Sequence, residues 1–384
     1  MSKSRIISRL SLIMSLIIAV LAGACSEKPD KENGFSNHRF ESLVESYKFN
    51  YAEWEFKTLS HELTQENQTD EKSRVPDSAS VVQFFSNDPA NQDLELIDEV
   101  ENILANQISQ VLDENGINNP FLKADFIFPP VNFKLENPPY VLIVSPREKI
   151  EKMRGITLNQ DINPEQVKEL ESDVDQLNVA SLVIPIGGLG ATYPSFVEVN
   201  SDLKYTINTA AEEWLHQYLL FKPLGFRYVL DLLNIKTDPD IDSLNETVAG
   251  VAAQEIGDMV YAKFYSQYPQ GQEKPADPEA FDFNAAMRET RLNVDAYLAS
   301  GNITQAENYM EERRQFINSH GYHIRKLNQA YFAFYGSYAY SPTSVDPLGD
   351  QVKKLREQSA SLKDFLDTAS RLTSRQELEN IVNN

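Results

Sequence analysis

The chain has one cysteine and five histidines among its 384 residues. A single cysteine cannot form a disulfide within the chain, and it excludes a metal site built from several cysteines. Any bound metal ion would therefore be held by histidine, aspartate or glutamate. Basic residues are also scarce, because 35 Lys and Arg stand against 57 Asp and Glu, and the formal net charge is −22. That charge repels nucleic acid, so no nucleic-acid partner is expected.

The remaining composition is that of a globular protein, with 41% hydrophobic and 24% charged residues. The length suits one large domain or two smaller ones. An apolar run from Leu10 to Leu21 follows three basic residues, Lys3, Arg5 and Arg9. A basic start, a short apolar run and small residues after it are typical of an export signal.

Residues Leu21-Ala-Gly-Ala-Cys25 resemble the lipobox of bacterial lipoproteins, in which the cysteine is lipidated and becomes the mature N-terminus. The resemblance implies a signal peptide at 1–24, acylated Cys25 and a polar tether at 25–39. It also implies an extracytoplasmic protein of the bacterial cell envelope with the lipid bilayer as a partner. Loss of 1–24 would bring the net charge to −25, because that segment has three basic residues and no acid. The alternative is an ordinary signal peptide that ends by chance at Cys25.

Apolar residues recur at three- and four-residue spacing from Phe40 to Gln65 and from Asp88 to Asn115. This spacing predicts two amphipathic helices. We therefore expect an N-terminal helical region at 40–125, with the rest of the fold at 126–384.

The sequence pattern changes in the region from residue 126 onwards. The runs Tyr140–Val144 and Val179–Ile186 predict strands, and the chain beyond residue 200 is expected to be mostly helical. The predicted fold class is therefore α+β, mainly α, with a small sheet. Gly187-Gly-Leu-Gly190 follows the second run, but it lacks the Lys-Ser/Thr of a phosphate-binding loop and the spacing of a dinucleotide fingerprint. A plain turn is therefore predicted there.

The stretch Tyr205–Phe221 predicts a helix with an unbroken buried stripe. The stripe comprises Ile207, Ala210, Ala211, Trp214, Leu215, Tyr218 and Leu219. Another face carries Glu212, Glu213 and His216, which are spaced to lie together. Buried charges need partners, and a metal ion would supply one. The alternative is a polar face in contact with water.

A second helix is expected to begin at Asn245, after a turn at Asp238–Asp242. Glu246 shares its face with small residues, which let a neighbouring helix approach closely. These residues are Ala249, Gly250, Ala253 and Gly257. The pattern predicts that Glu246 lies near the acidic face of the first helix, in the layout of a zinc site with a general base beside it.

Glu212-Glu-Trp-Leu-His216 resembles the H-E-x-x-H helix of zinc peptidases, and Asn245-Glu-Thr-Val-Ala249 resembles the N-E-x-x-A segment of the gluzincin branch. From Pro138 to Thr373 the chain resembles a family of bacterial gluzincin-like metallopeptidases. The further motifs are Ser145-Pro-Arg147, Gly187-Gly-Leu-Gly-Ala-Thr-Tyr-Pro194, Arg288-Glu-Thr-Arg291 and Arg325-Lys-Leu-Asn-Gln-Ala-Tyr-Phe-Ala-Phe-Tyr335.

The resemblance implies a zincin-like helical core and a zinc ion held by Glu212, His216 and Glu246. Metal-activated water would attack a peptide carbonyl, with Glu213 as general base. Glu212 stands where the peptidase motif has its first histidine, and a carboxylate there makes the site more anionic. The alternative is a catalytically inactive lipoprotein of the same fold that acts as a binding or scaffold protein.

Four further residues are candidates for contact with a peptide substrate. Tyr335 would donate to an oxyanion, Asn328 shares its face, and Arg291 would hold a carboxylate. His323, three residues after His320, would complete the metal shell or bond the transition state. The alternatives are packing within an aromatic-rich core helix for Tyr335, pairing with the abundant acids for Arg291, and polar contacts in a loop at the helix start for His323.

Overall fold

The computed structural model describes residues 31–32, 35–55, 57–58, 78–87, 92–119, 126–200, 202–232, 238–268, 281–338 and 341–383. The expected signal peptide and Cys25 lie outside these ranges. The strands are β1 Lys31–Glu32, β2 Phe35–Ser36, β3 Phe133–Leu135, β4 Tyr140–Pro146, β5 Arg154–Leu158, β6 Val179–Pro185, β7 Gly188–Leu189 and β8 Ser195–Val197. The helices before residue 200 are α1 Asn37–Val44, α2 Ser78–Phe85, α3 Ile97–Glu114 and α4 Pro164–Asp175.

Helices dominate the rest of the chain, so the expected class, mainly α with a small sheet, is confirmed. They are α5 Leu203–Leu219, α6 Pro223–Leu232, α7 Pro239–Phe264, α8 Phe283–Ala299, α9 Ile303–Ser319, α10 Gln329–Tyr335, α11 Leu348–Gln358, α12 Leu362–Ala369 and α13 Arg375–Val382. No helix among the described residues is both long and apolar enough to cross a bilayer.

One sheet places β4 between β5 and β6, and both pairings are antiparallel. Side chains alternate between the faces of β4, as they do in any strand. Leu142 and Val144 pack with α1 and α4, whereas Ile143 packs with Ala330 of α10. The two strands expected from apolar runs are confirmed, and each helix layer covers one face of the sheet.

A second sheet has the order β3-β8-β7, with β8 parallel to β3 and antiparallel to β7. The plain turn expected at Gly187–Gly190 is wrong in part, because Gly188 and Leu189 form β7. Gly188 pairs with Val197, and the Glu198 N–H donates to the Gly187 carbonyl at 2.8 Å. These bonds to residues later in the chain place Gly188 and Leu189 at the edge of the sheet. We call β7 the glycine strand.

Helices α5 and α7 form the centre of the larger core, and the predicted stripe of α5 is buried throughout. They run antiparallel, since Asn208 of α5 faces Gly257 of α7, while His216 faces Asn245. A Cβ added to Gly257 would lie 1.7 Å from the Asn208 side chain. The small residues of α7 therefore allow the close approach that was predicted.

The predicted start of this second helix is wrong, because α7 begins at Pro239 rather than Asn245. Asp238 is the N-cap residue and Pro239 occupies the first helical position, where a missing N–H costs nothing. The Asp- and Pro-rich stretch that predicts a turn is thus the first turn of the helix itself.

The N-terminal residues also depart from expectation. The single helix predicted for Phe40–Gln65 is wrong, because α1 ends at Val44 and Lys48 pairs with Leu158 beside β5. A further helical segment follows at 51–55, and 59–65 lie outside the described residues. The helix predicted for Asp88–Asn115 begins only at Ile97.

The N-terminal region does not form a layer of its own. Helix α1 packs on the β4 sheet, and α3 packs on α7 within the larger core. Phe35, which lies within the expected tether at 25–39, is also buried against α1. The two largest core clusters of the described residues therefore combine residues from before and after the expected boundary at residue 126.

Candidate metal centre

Helix α5 presents the residues of the acidic face. Asp202 caps its N-terminus by accepting from the Tyr205 N–H at 3.0 Å. The buried stripe fixes the rotation of the helix, so Glu212, Glu213 and His216 point towards α7 and the glycine strand. None of the three is fully solvated, and Glu213 is only 9% exposed. The alternative of a face open to water is therefore wrong.

Helix α7 brings Glu246 to this face. The ligand atoms of Glu212, His216 and Glu246 all lie within 4.8 Å of one another. His216 Nε2 lies 3.7 Å from Glu246 Oε2. Donor atoms around a tetrahedral zinc ion are about 3.3 Å apart, given bonds of about 2 Å. These three residues could thus hold a metal ion, as the helix spacing predicts.

The surroundings of His216 fit the role of a metal ligand. Its Nδ1 lies 3.0 Å from the side-chain amide of Asn245. Asn245 Oδ1 is buried and has no partner among the described residues. With Oδ1 turned towards the ring, it accepts the Nδ1 proton, and the lone pair of Nε2 then faces Glu246. Asn245 can therefore set the tautomer that a metal ion requires.

Tyr228 of α6 contacts both α5 and α7 at this point. Its hydroxyl donates to Glu246 Oε1 at 3.0 Å, and its ring is within 23° of parallel to the His216 ring. Burial raises the pKa of Tyr228 well above its usual value, and the Glu246 and Asp242 carboxylates raise it further. The hydroxyl therefore stays protonated and remains a donor.

Glu213 lies between α5 and the glycine strand. A Cβ at Gly188 would lie 2.2 Å from Glu213 Oε1, and one at Gly190 would lie 2.9 Å from Oε2. The Gly190 N–H donates to this carboxylate. Only glycine leaves room for the carboxylate here, so these two positions determine where Glu213 can lie.

The electrostatics show that the cluster lacks positive charge. Burial and the nearby Glu246 carboxylate raise the pKa of Glu212 to about 8. Burial raises the pKa of Glu213 well above its usual range, and Glu212 and Glu246 raise it further. Such shifts mean that the carboxylates repel one another in a poorly solvated site. A divalent cation would relieve this repulsion.

One cation does lie beside Glu246. Desolvation lowers the pKa of Lys152, but the Asp242, Glu246 and Asp231 carboxylates outweigh it and raise the pKa above its usual value. Its Nζ donates to Asp242 Oδ2 at 3.1 Å. Lys152 thus offsets the charge of Asp242, which lies one turn before Glu246 on α7.

Two residues expected to contact substrate have contacts within the fold. Asn328 caps α10 by accepting from the Tyr331 N–H, and its Nδ2 donates to the Ser181 carbonyl at 2.9 Å. Arg291 forms an ion pair with Asp295 at 2.8 Å. These contacts explain both side chains without a ligand, and their roles towards substrate stay predictions.

Tyr335 and His323 are likewise separate from the three ligand candidates. Tyr335 packs beside Tyr331 against the face of the β4 sheet that carries Ile143. His323 is exposed, and its neighbour His320 stacks on Phe281 with ring centroids 4.2 Å apart. Neither histidine belongs to the described group of metal-ligating side chains, and the predicted roles stay untested.

Sequence reasoning missed three contributors to the site. Tyr228 lies twelve residues after His216 on a separate helix, and no motif marks it. Asn245 directly precedes Glu246, but its contact with His216 depends on how the helices pack. The glycine run is visible in the sequence, yet only the fold shows that it packs on Glu213.

Comparison of the chain with protein-family models, with curated proteins and with solved structures finds no match. The resemblance carried by the motifs therefore stays an expectation. Any function assigned to the chain must rest on the convergence of Glu212, His216 and Glu246 and on the residues that hold them in place.

Proposed function

We propose that the protein is a zinc-dependent peptidase in which Glu212, His216 and Glu246 hold the ion and Glu213 is the general base. The observation that carries the proposal is the convergence of the three ligand candidates from α5 and α7. The antiparallel pairing of these helices supports a zincin-like core. Carboxylate and imidazole groups are both established zinc ligands, so the donor set fits.

A bound zinc ion would supply Lewis acidity, which polarises a carbonyl and lowers the pKa of water. The chain's own residues supply the proton acceptor and its orientation. Glu213 accepts from the Gly190 N–H, and burial together with the Glu212 and Glu246 carboxylates raises its pKa well above its usual range. A raised pKa makes a carboxylate a stronger proton acceptor once it is ionised, which suits the role of general base.

The glycine strand supports a peptide as the substrate. Among the described residues β7 pairs only with β8, so no strand covers its other edge, and Gly188 of β7 lies against Glu213. An extended peptide can add to such an edge as a further strand. Backbone pairing would place a peptide carbonyl near the metal centre irrespective of its side chains.

The test compares wild type, Glu213→Gln and Glu212→Ala for zinc content and for hydrolysis of a peptide mixture. We expect about one zinc per chain and hydrolysis for wild type, and zinc without hydrolysis for Glu213→Gln. Glu212→Ala should bind zinc at least about a hundredfold more weakly, because it lacks a direct ligand. Glu312→Ala, an exposed acid on α9, is the control and should match wild type.

Hydrolysis that survives Glu213→Gln would rule out the proposed base. A wild-type chain that binds zinc at the site but cleaves no peptide would support the alternative of a binding or scaffold protein. A chain without zinc affinity would overturn the metal centre itself.

We also propose that the protein is anchored to the bacterial envelope through acylated Cys25 and acts outside the cytoplasm. The support is the lipobox-like segment at 21–25. Cys25→Ser should move the protein from the membrane fraction to the soluble fraction and abolish incorporation of labelled palmitate. Unchanged membrane association would contradict the anchor.

A further inference from the structure

The two oxygens of the Glu246 carboxylate have different neighbours, because Tyr228 donates a hydrogen bond to only one of them. Its hydroxyl donates to Oε1 at 3.0 Å, while Oε2 faces His216 Nε2 at 3.7 Å. One oxygen is therefore held by a protein donor, and the other is left facing the second ligand candidate. A carboxylate without such a donor can rotate and exchange its oxygens or present both.

The position of Tyr228 in the fold makes this contact specific. The residue belongs to α6, whereas His216 and Glu246 belong to α5 and α7. Its ring stacks over the His216 ring with centroids 6.1 Å apart, so the same side chain contacts two ligand candidates. Rotation of the Glu246 carboxylate would break its hydrogen bond from Tyr228, and α6 packs directly on α7.

We infer that Tyr228 is a positioning residue. Its hydrogen bond to Oε1 leaves Oε2 to bind the metal ion, so Glu246 binds the ion through one oxygen. The inference rests on the metal centre of the proposed function. Hydrogen-bond partners of ligating carboxylates typically contribute 10–100-fold to metal affinity. Tyr228 acts only through Glu246 and His216, so its effect should be seen in metal binding before any reaction occurs.

The test is Tyr228→Phe, which removes the hydroxyl and keeps the ring. Zinc affinity of the full chain is measured by competition with a chelator of known affinity, and the visible absorption of bound Co²⁺ reports the coordination geometry. We expect zinc to bind 10–100-fold more weakly and the Co²⁺ spectrum to shift.

Tyr265→Phe is the matched control. It also removes one buried tyrosine hydroxyl hydrogen bond, from Tyr265 to Gln107 at 2.6 Å. Tyr265 lies 19 residues beyond Glu246, about 28 Å along the helix axis. We expect wild-type zinc affinity and an unchanged Co²⁺ spectrum for this variant, even where its thermal stability falls.

Wild-type affinity and spectrum in Tyr228→Phe would overturn the inference and leave the metal centre intact. Equal loss of affinity in both variants would overturn it too, because the effect would then follow from general destabilisation. Absence of zinc binding by the wild-type chain would instead refute the proposed function. The failures are therefore distinguishable.

Discussion

At the scale of single residues, the position of Glu213 depends on neighbours that have no side chain. Gly188 and Gly190 lie so close to its carboxylate that a Cβ at either position would overlap it. Glu213, the proposed general base, is thus positioned by the backbone of the glycine strand. A single methyl group added at one of these glycines should therefore displace the Glu213 carboxylate, even though Glu213 itself is unchanged.

Gly188→Ala should displace the Glu213 carboxylate, because the added Cβ would lie 2.2 Å from Oε1. We expect hydrolysis to fall at least about tenfold and stability to fall by roughly 1–3 kcal/mol, as overpacking does. Zinc content should stay at the wild-type value, because the three atoms nearest to the added Cβ all belong to Glu213 and not to a ligand candidate. Steady-state kinetics, urea unfolding and metal analysis would measure the three effects.

Retention of full activity in this variant would show that the base moves freely in its site. Loss of zinc together with activity would show that the variant disrupts the helices rather than the base alone.

The sequence predicts the three ligand candidates better than it predicts the residues that support them. Glu212 and His216 follow from i, i+4 spacing within one helix, and the small residues around Glu246 indicate which face meets that helix. Tyr228 follows from neither kind of pattern, since its contact with Glu246 exists only after three helices have packed.

At the scale of secondary-structure elements, the segment at 51–55 connects the N-terminal residues to the loop between β7 and β8. Glu55 is buried and accepts from the Tyr193 N–H at 2.8 Å. Its neighbour Trp54 packs against Phe196 of β8 with ring centroids 4.0 Å apart and ring planes tilted by 31°. The residues expected to form a separate N-terminal region thus support the loop that follows β7.

Glu55→Ala should leave the buried Tyr193 N–H without this acceptor. The expected loss is about 1–3 kcal/mol in the free energy of unfolding. Urea denaturation would measure it.

Glu53→Ala is the control, since Glu53 is exposed and its carboxylate accepts only a surface hydrogen bond from Asn50 Nδ2, at 3.2 Å. It should change stability by less than about 0.5 kcal/mol. Equal effects of the two variants would show that the segment contributes little to the loop.

Errors in the element boundaries share one physical cause. Periodicity reports which face of a segment is apolar, but long-range pairing decides where a helix must stop. The helix expected to continue past Val44 ends because Lys48 pairs with Leu158, more than a hundred residues later. In contrast, α5 was predicted closely, since its buried stripe alone determines its length and orientation.

At the scale of the whole molecule, the proposed metal centre lies between the two central helices of the larger core. A ligand that binds only the folded chain stabilises it by an amount that grows with its concentration, about 2.7 kcal/mol at a hundred times Kd. Zinc binding should therefore be visible in the unfolding of the entire protein.

Zinc at a hundredfold excess over its Kd should raise the thermal midpoint of the metal-free protein by several degrees, and a chelator should reverse the shift. Differential scanning fluorimetry would measure it. Glu212→Ala should show little or no shift at the same zinc concentration. Equal shifts in both proteins would mean that zinc binds elsewhere on this acidic surface.

The close contact between Gly257 and Asn208 has a consequence for ion selection. A Cβ at Gly257 would lie 1.7 Å from Asn208 Oδ1, so a larger residue there would push α5 and α7 apart and move their ligand candidates away from one another. Zinc accepts bonds of about 2 Å, whereas calcium requires 2.3–2.6 Å and six to eight oxygen ligands. Close helix packing and an imidazole among the three ligand candidates therefore favour zinc over calcium, despite the abundance of carboxylates at the site.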